Sequence, residues 1–333
     1  MGLVLIEDSN SWDQFVDRSP HGLLFHKWGF LKTIELHSGY ELLPYGIYKG
    51  ESLICVIPLF YKKIKGVKTL FSPPPQTGVP YLGFAMCREY NTLKQNKKEN
   101  FLNIVSDEIH QEISKMSPHY TQISLVPNFL DIRAFTWNQY SVNAGYTYML
   151  DLSESLDTIW SNFQHELRRQ IRQGENLDLQ LANSSDISPL YHFLKERYKE
   201  QNLNLPIISQ SYLQDLIRLY PEHIVIHYLY DKNREIIGVN MTHEYKLCIG
   251  WIGAIKLSNT IHSNEYLTWK LIQRAKEKGF KIFELQGANR KNLCQFKTKF
   301  NPSLELTFEI NQKNKFGQLA EWAYFNLIKR RRI

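Results

Sequence analysis

The order of predicted elements runs through this 333-residue chain twice. A repeat of that kind constrains the fold more than any single motif, because each copy must build the same supersecondary unit. In the first copy, residues 12–16 and 25–31 carry apolar side chains three or four apart, the spacing of short helices. Residues 42–48 and 52–61 read as a hairpin that turns at Lys49, Gly50 and Glu51. The run Ser72, Pro73, Pro74, Pro75 to Gly78 excludes helix. Residues 81–84 then suggest a short strand, 91–116 a helix and 120–125 a strand.

The second copy opens on 156–173, predicted as one helix with Leu156, Trp160, Phe163, Leu167 and Ile171 along a stripe. Helices over 189–201 and 210–220 follow, then a hairpin of 224–230 and 235–243 that turns at Asp231 to Asn233. Residues 247–255 form an apolar strand. Ser263 is the expected N-cap of a helix carrying Leu267, Leu271 and Ala275, and Gly279 its C-terminal stop. Residues 281–285 make the next strand. Residue by residue, Tyr48, Ile54 and Val56 correspond to Tyr230, Ile237 and Val239, and 120–125 corresponds to 280–285. The expected fold is α/β (α+β): two tandem modules, 1–150 and 151–312, with mixed central sheets flanked by helices. A basic amphipathic helix over 313–333 closes the chain. A cleft between the modules is where a ligand site is expected.

Composition narrows the function classes. Hydrophobic residues make up 43% and exclude a disordered chain. Cys55, Cys87, Cys248 and Cys294 are scattered, which argues against a disulfide framework or a structural zinc, and no metal is expected. No apolar run approaches the roughly 18–20 residues that span a bilayer. The N-terminus lacks a signal-peptide pattern, so a cytoplasmic protein is expected. The net charge of +7 suits an anionic partner: a nucleotide, a coenzyme, tRNA or an acidic membrane face.

Three stretches carry a family resemblance. Phe135 and Trp137 precede Tyr146, Thr147, Tyr148, Met149, Leu150 and Asp151. Trp160 precedes Arg168, Arg169, Gln170, Ile171 and Arg172, an RR..IR helix. Glu284, Leu285, Gln286 and Gly287 lead to Phe296, Lys297, Thr298, Lys299 and Phe300, a G…FK ending. In joint order they resemble the double-GNAT, Fem-type acyltransferases, which include peptidoglycan-bridge aminoacyltransferases, and the CelD-like group. The resemblance implies two GNAT-like modules and an N-acyltransferase dependent on acyl-CoA or an aminoacyl donor. The acceptor it implies is an amine on a nucleotide- or lipid-linked amino sugar or peptide of the cell envelope. Asn301 departs from the usual glycine, and Cys294 and Gln295 stand where many relatives are acidic. No long heptad run supplies the coiled coil that engages tRNA in Fem aminoacyltransferases. Nucleic acid is thus not expected, with tRNA left open.

Acetyl-CoA-dependent relatives hold pyrophosphate on a Q/R-x-x-G-x-G/A loop at a helix N-terminus. The matching stretch here, 254–265, has no glycine. Lys256, Ser263 and Asn264 are its candidate contacts for acyl-CoA, and Lys297 adds a phosphate contact. Acyl transfer also needs a proton acceptor. His243, Glu244 and Glu265 are the candidates, although Glu265 in a first helical turn equally suits the helix dipole. Trp251 either lines the cleft or packs the core. By resemblance, His26, Lys27 and Tyr81 contribute acceptor contacts; core packing is the other reading. His165, Arg168, Arg169 and Arg172 share one helix face within about 100°. Arg168 and Arg172 could fork onto a phosphosugar, or the face is simply solvated. The tail, with Trp322 and the run Lys329 to Arg332, suits peripheral contact with the inner membrane face or packing on the second module. Two functions follow: an active acyltransferase, or a GNAT-like ligand-binding protein whose donor loop has decayed.

Overall fold

The structure, a computed structural model, describes residues 2–202, 204–256, 262–323 and 326. In chain order the elements are β1 (Gly2–Leu5), α1 (Ser9–Arg18), α2 (Trp28–Ser38), β2 (Glu41–Lys49), β3 (Ser52–Ile64), β4 (Val67–Ser72), β5 (Ala85–Met86), α3 (Gln95–Met116), β6 (Tyr120–Ser124), α4 (Arg133–Trp137) and β7 (Ser141–Asp151). Then come α5 (Leu156–Ser161), α6 (His165–Glu175), β8 (Gln180–Ser184), α7 (Ser188–Glu200), α8 (Gln210–Leu219), β9 (Ile224–Tyr230), β10 (Ile236–Glu244), β11 (Cys248–Ile255), α9 (Ser263–Glu277), β12 (Ile282–Glu284), α10 (Lys291–Lys297), β13 (Ser303–Lys313) and α11 (Lys315–Ala323). Two compact units result: Met1–Gly145 with Leu306–Ile333, and Tyr146–Glu305.

In the first unit the strands run β1-β2-β3-β4-β6, with the end of β13 beside β6. β3 turns into β4 through Lys65 and Gly66, whose φ angles are +48° and +88°. Positive φ at both positions suits a two-residue hairpin whose twist matches its strands. β4 and β6 are parallel and are joined through α3, the crossover a parallel pair requires. Trp12, Phe25, Phe30, Phe60 and Phe84 fill the core.

The second unit repeats this order as β8-β9-β10-β11-β12, with the end of β7 beside β12. α9 crosses between β11 and β12, as α3 does between β4 and β6. Leu167, Ile171, Trp269, Ile272 and Phe283 are buried in one cluster. The sequence reading carries the second module to residue 312. Here β13 pairs Glu309 with Ser124 and Lys313 with Tyr120, so its end and α11 go with the first unit.

The predicted helix over 156–173 is two helices. Gln164 turns to φ −55°, ψ 142° and its N–H donates to Lys299 O at 3.0 Å. That break sets the Phe163 ring 5.2 Å from both Trp269 and Phe300, so tertiary packing overrides a helical period. Residues 81–84 are coil rather than strand. Leu82 N–H donates to Ser124 O, and Gly83 sits at φ +59°, outside extended geometry. The helical N-cap is His262, one residue before Ser263. Of the tail, residues 324–333 lie outside the described residues except Asn326.

Candidate functional site

In the second unit β11 and β12 pair in parallel at two positions only, Cys248 with Phe283 and Ile249 with Glu284. β11 then continues to Ile255, held on its other side by β10. Backbone groups of 250–255 that point away from β10 therefore have no strand partner among the described residues. A bulge at Trp251 falls inside this stretch, where Met241 opposes Ile252 and Thr242 opposes Gly250. Bulges of this kind re-aim backbone and end pairing. The chains run close at Gly253: an added Cβ would stand 2.6 Å from Asn240 Nδ2, and the Asn240 side chain would have to shift. Past β11 the chain reaches the N-terminus of α9, where Ser263 is buried and Asn264 half-buried. Lys256 is exposed and pairs with Glu235 at 3.5 Å. The intervening residues 257–261 lie outside the described residues.

At the end of β12 a second group of polar side chains gathers. Glu284 is fully buried and accepts a 2.7 Å hydrogen bond from Thr147 Oγ1. Gln286 and Gly287 follow at φ +54° and +45°, a left-handed turn that presents their carbonyls to one side. Lys297, the last residue of α10, donates to Gln286 O at 2.8 Å. Burial pushes the Lys297 ammonium down to about 8, with Glu284 and Cys294 opposing. Cys294 lies one turn earlier, its Sγ 3.3 Å from Ala288 O. An amine near 8 is populated in both protonation states at neutral pH, the property a proton shuttle needs.

The other candidates divide by environment. Glu244 is buried and ionic: Lys278 Nζ hydrogen-bonds Oε2, Arg274 Nε lies 3.6 Å from Oε1, and Thr242 Oγ1 donates at 3.0 Å. His227 extends this network as a neutral ring, its Nε2–H donating to Thr242 Oγ1 at 2.8 Å and its Nδ1 2.8 Å from the side-chain amide of Asn183. His243 is buried with its ring 5.3 Å from Trp251, itself buried. These positions give His243, Glu244 and Trp251 interior packing.

Burial, and after it the Arg274 and Lys278 charges, drops His227 to about 3. Burial, with His223 adding, drops His243 to about 3. Both imidazoles stay neutral in the folded chain, whereas an unfolded imidazole protonates near 6.5. Stability is then full above about 6.5 and falls as pH drops towards about 3. Two such groups give a slope of roughly 3 kcal/mol per pH unit between about pH 5.5 and 4. Urea unfolding at a series of pH values reads this slope, and His243→Gln should remove about half of it. A stability independent of pH over that range would contradict the assignment.

Glu265 pairs with Lys299 at 3.3 Å and sits in the first turn of α9, where the helix dipole favours it. On α6, Arg169 is taken by Glu166 at 2.9 Å. Arg172 lies over the Trp160 ring at 5.7 Å and is exposed. Arg168 is half-buried and has no ion pair among the described residues. The first unit holds His26, Lys27 and Tyr81 differently from a ligand site. His26 is fully buried, with Nε2 donating to Leu82 O at 2.8 Å and Nδ1 accepting from Leu23 N–H at 3.1 Å. Lys27 pairs with Asp17 at 2.9 Å, and Tyr81 packs on Phe25. Glu284 and Thr147 were missed as site residues. Both stand in stretches quoted for the family resemblance, but only the paired strands bring them together. Among the described residues no three His, Cys, Asp or Glu side chains gather as a metal site.

Residues 161–298 match the family model of the acetyltransferase (GNAT) domain. No curated protein matches the chain. Among solved structures, FemX is similar over 96% of this chain and 100% of its own, with a TM-score of 0.71 at 12% identity. The C-terminal domain of a putative lysylphosphatidylglycerol synthetase from Agrobacterium fabrum is similar over 96% of both chains, with a TM-score of 0.61 at 14% identity. A tandem GNAT protein from the clavulanic acid biosynthesis pathway is similar over 93% of this chain and 97% of its own, with a TM-score of 0.54 at 8% identity. The α9 crossover and the repeated strand order thus agree with these comparisons: residues 161–298 match a GNAT-type acetyltransferase domain, and the chain as a whole shares its fold with FemX and the tandem GNAT protein.

Proposed function

We propose that this protein transfers an acyl or aminoacyl group to the amine of an anionic cell-envelope precursor, a nucleotide- or lipid-linked amino sugar or peptide, on the cytoplasmic side. The unpaired side of β11, running from beside Glu284 towards the N-terminus of α9, carries the reading. An extended donor lies along such an edge as an added strand would, with main-chain hydrogen bonds giving affinity. For acyl-CoA, the α9 N-terminus and Lys256 are the groups that would receive its phosphates. The acceptor nitrogen attacks the donor carbonyl carbon, the carbonyl oxygen takes up the charge, and the C–S or C–O bond to the leaving group breaks. Lys297, in its neutral form, accepts the proton that the attacking amine sheds, and Glu284 and Thr147 hold its surroundings in place. Arg168 and Arg172 supply cations for the acceptor's phosphates. The name of the similar putative lysylphosphatidylglycerol synthetase supports a lipid-linked acceptor.

The glycine-free stretch 254–265 favours a second reading, a binding protein without turnover. Thermal melting with acyl-CoAs and UDP-amino sugars, followed by release of free CoA, separates the two. We expect stabilisation by a donor and CoA release that depends on acceptor. Arg168→Ala with Arg172→Ala should weaken the anionic acceptor roughly tenfold or more, since hydrogen bonds to charged groups contribute about 1.5–3 kcal/mol each. The melting temperature without ligand should hold. Binding without CoA release would favour the second reading, and no binding of any donor would remove the first.

A further inference from the structure

We infer that the first unit carries a docking face for an anionic lipid bilayer, built from the tip of the β3–β4 hairpin and the outer side of α11. This face goes beyond the transfer reaction and does not depend on it. The hairpin tip is strongly cationic. Lys63 opposes Lys68 directly, Ile64 opposes Val67, and Lys65 occupies the turn. Like charges in opposed positions repel. None of Lys63, Lys65 and Lys68 has an ion-pair partner among the described residues. Lys63, Ile64 and Lys65 are exposed, with Ile64 at 40%.

α11 adds the apolar part. Phe316, Leu319 and Trp322 recur every third residue, which puts them along one side of the helix. They are 49%, 60% and 57% exposed. The opposite side is fixed to the fold by close backbone contact: a Cβ on Gly317 would stand 1.9 Å from His119 O. His119 also ties this helix to the hairpin. Its N–H donates to Lys68 O at 2.8 Å and its Nδ1 accepts from Lys68 N–H at 2.9 Å. Its ring lies 4.7 Å from that of Phe316. The start of α11 therefore adjoins Lys68, and the hairpin tip stands about 10 Å further along the strands, at about 3.3 Å per residue.

Uncompensated lysines beside exposed aliphatic and aromatic side chains match the two layers of an anionic membrane surface, headgroup and acyl boundary. An RNA backbone would use the lysines and leave Ile64 and Leu319 without a role. In sequence the chain continues from α11 through Phe325 and Ile328 to Lys329, Arg330, Arg331 and Arg332, more of the same composition.

Cosedimentation of the full chain with vesicles tests this without any donor or acceptor, so its outcome is separate from that of the transfer reaction. Vesicles of phosphatidylcholine with about one-third phosphatidylglycerol should bind the protein, and phosphatidylcholine alone should not, with binding lost at high salt. Lys63→Ala with Lys65→Ala should weaken binding about 20-fold or more, at roughly fivefold per lysine. Leu319→Ala with Trp322→Ala should weaken it about tenfold or more through lost apolar burial. All four side chains are exposed, so melting temperatures should hold. Equal binding to both vesicle types would overturn the inference. So would hairpin variants that bind as wild type while deletion of residues 329–333 abolishes binding. Displacement of the protein from vesicles by homopolymer RNA, with Trp322→Ala silent, would assign the face to RNA instead.

Discussion

Replacing Lys297 with arginine will lower kcat by about 100-fold or more, the scale on which a positioned proton acceptor contributes. Arginine preserves the positive charge and donors for the Gln286 and Gly287 carbonyls, so the melting temperature should change little. It cannot become neutral in the accessible pH range. The wild-type rate should rise with pH and level off above about 8, because burial holds the Lys297 ammonium down to about 8 and the neutral amine dominates above it. The arginine variant should lose that limb at every pH. If Lys297→Arg keeps most of its activity, the side chain serves as a fixed cation and the proton leaves by another route. Lys297→Met completes the comparison: it removes both charge and proton acceptor and should be at least as slow.

The second large effect is on stability. Glu244 is 4% exposed and is answered by Arg274 of α9 and by Lys278, which caps that helix. Glu244→Gln keeps the shape and leaves two cations without their counter-charge. Breaking a buried pair from one side costs about 3–5 kcal/mol. Lys278 is 38% exposed and can turn to water, so a loss of about 3 kcal/mol is expected here. For a unit of this size that is roughly 6–12 °C in melting temperature. Adding Lys278→Gln should recover part of the loss, a coupling that a double-mutant cycle measures. Turnover by the folded fraction should be near wild type. A variant that melts normally but fails to turn over would instead make Glu244 the base.

Much of the fold was legible because it follows local rules applied twice. The hairpins at Lys49–Glu51 and Asp231–Asn233 show in alternation and turn residues. The stripe from Leu156 to Ile171 shows in helical spacing and is buried, wholly or in part, as expected. What was not legible depends on partners distant in the chain. The break at Gln164 answers to Lys299, and Gln122 meets Glu309 across 187 residues. No periodicity contains such pairings. The site was harder still. His26 looks like a ligand-binding histidine at a loop–helix junction, yet both ring nitrogens are spent on backbone groups. His243 and Glu244 end a strand and read as cleft residues, but the packing of α9 and Trp251 covers them. Glu284 sits in a strand of three residues, too short for a pattern, and becomes informative only once β12 is seen to leave β11.

Amide hydrogen exchange across β11 tests the central claim most directly. With acyl-CoA or another accepted donor bound, alternate amides within 250–255 should exchange more slowly, while those already bonded to β10 should change little. Protection confined to other segments, with 250–255 exchanging as in the free protein, would contradict the placement of the donor on the side of this strand that has no strand partner.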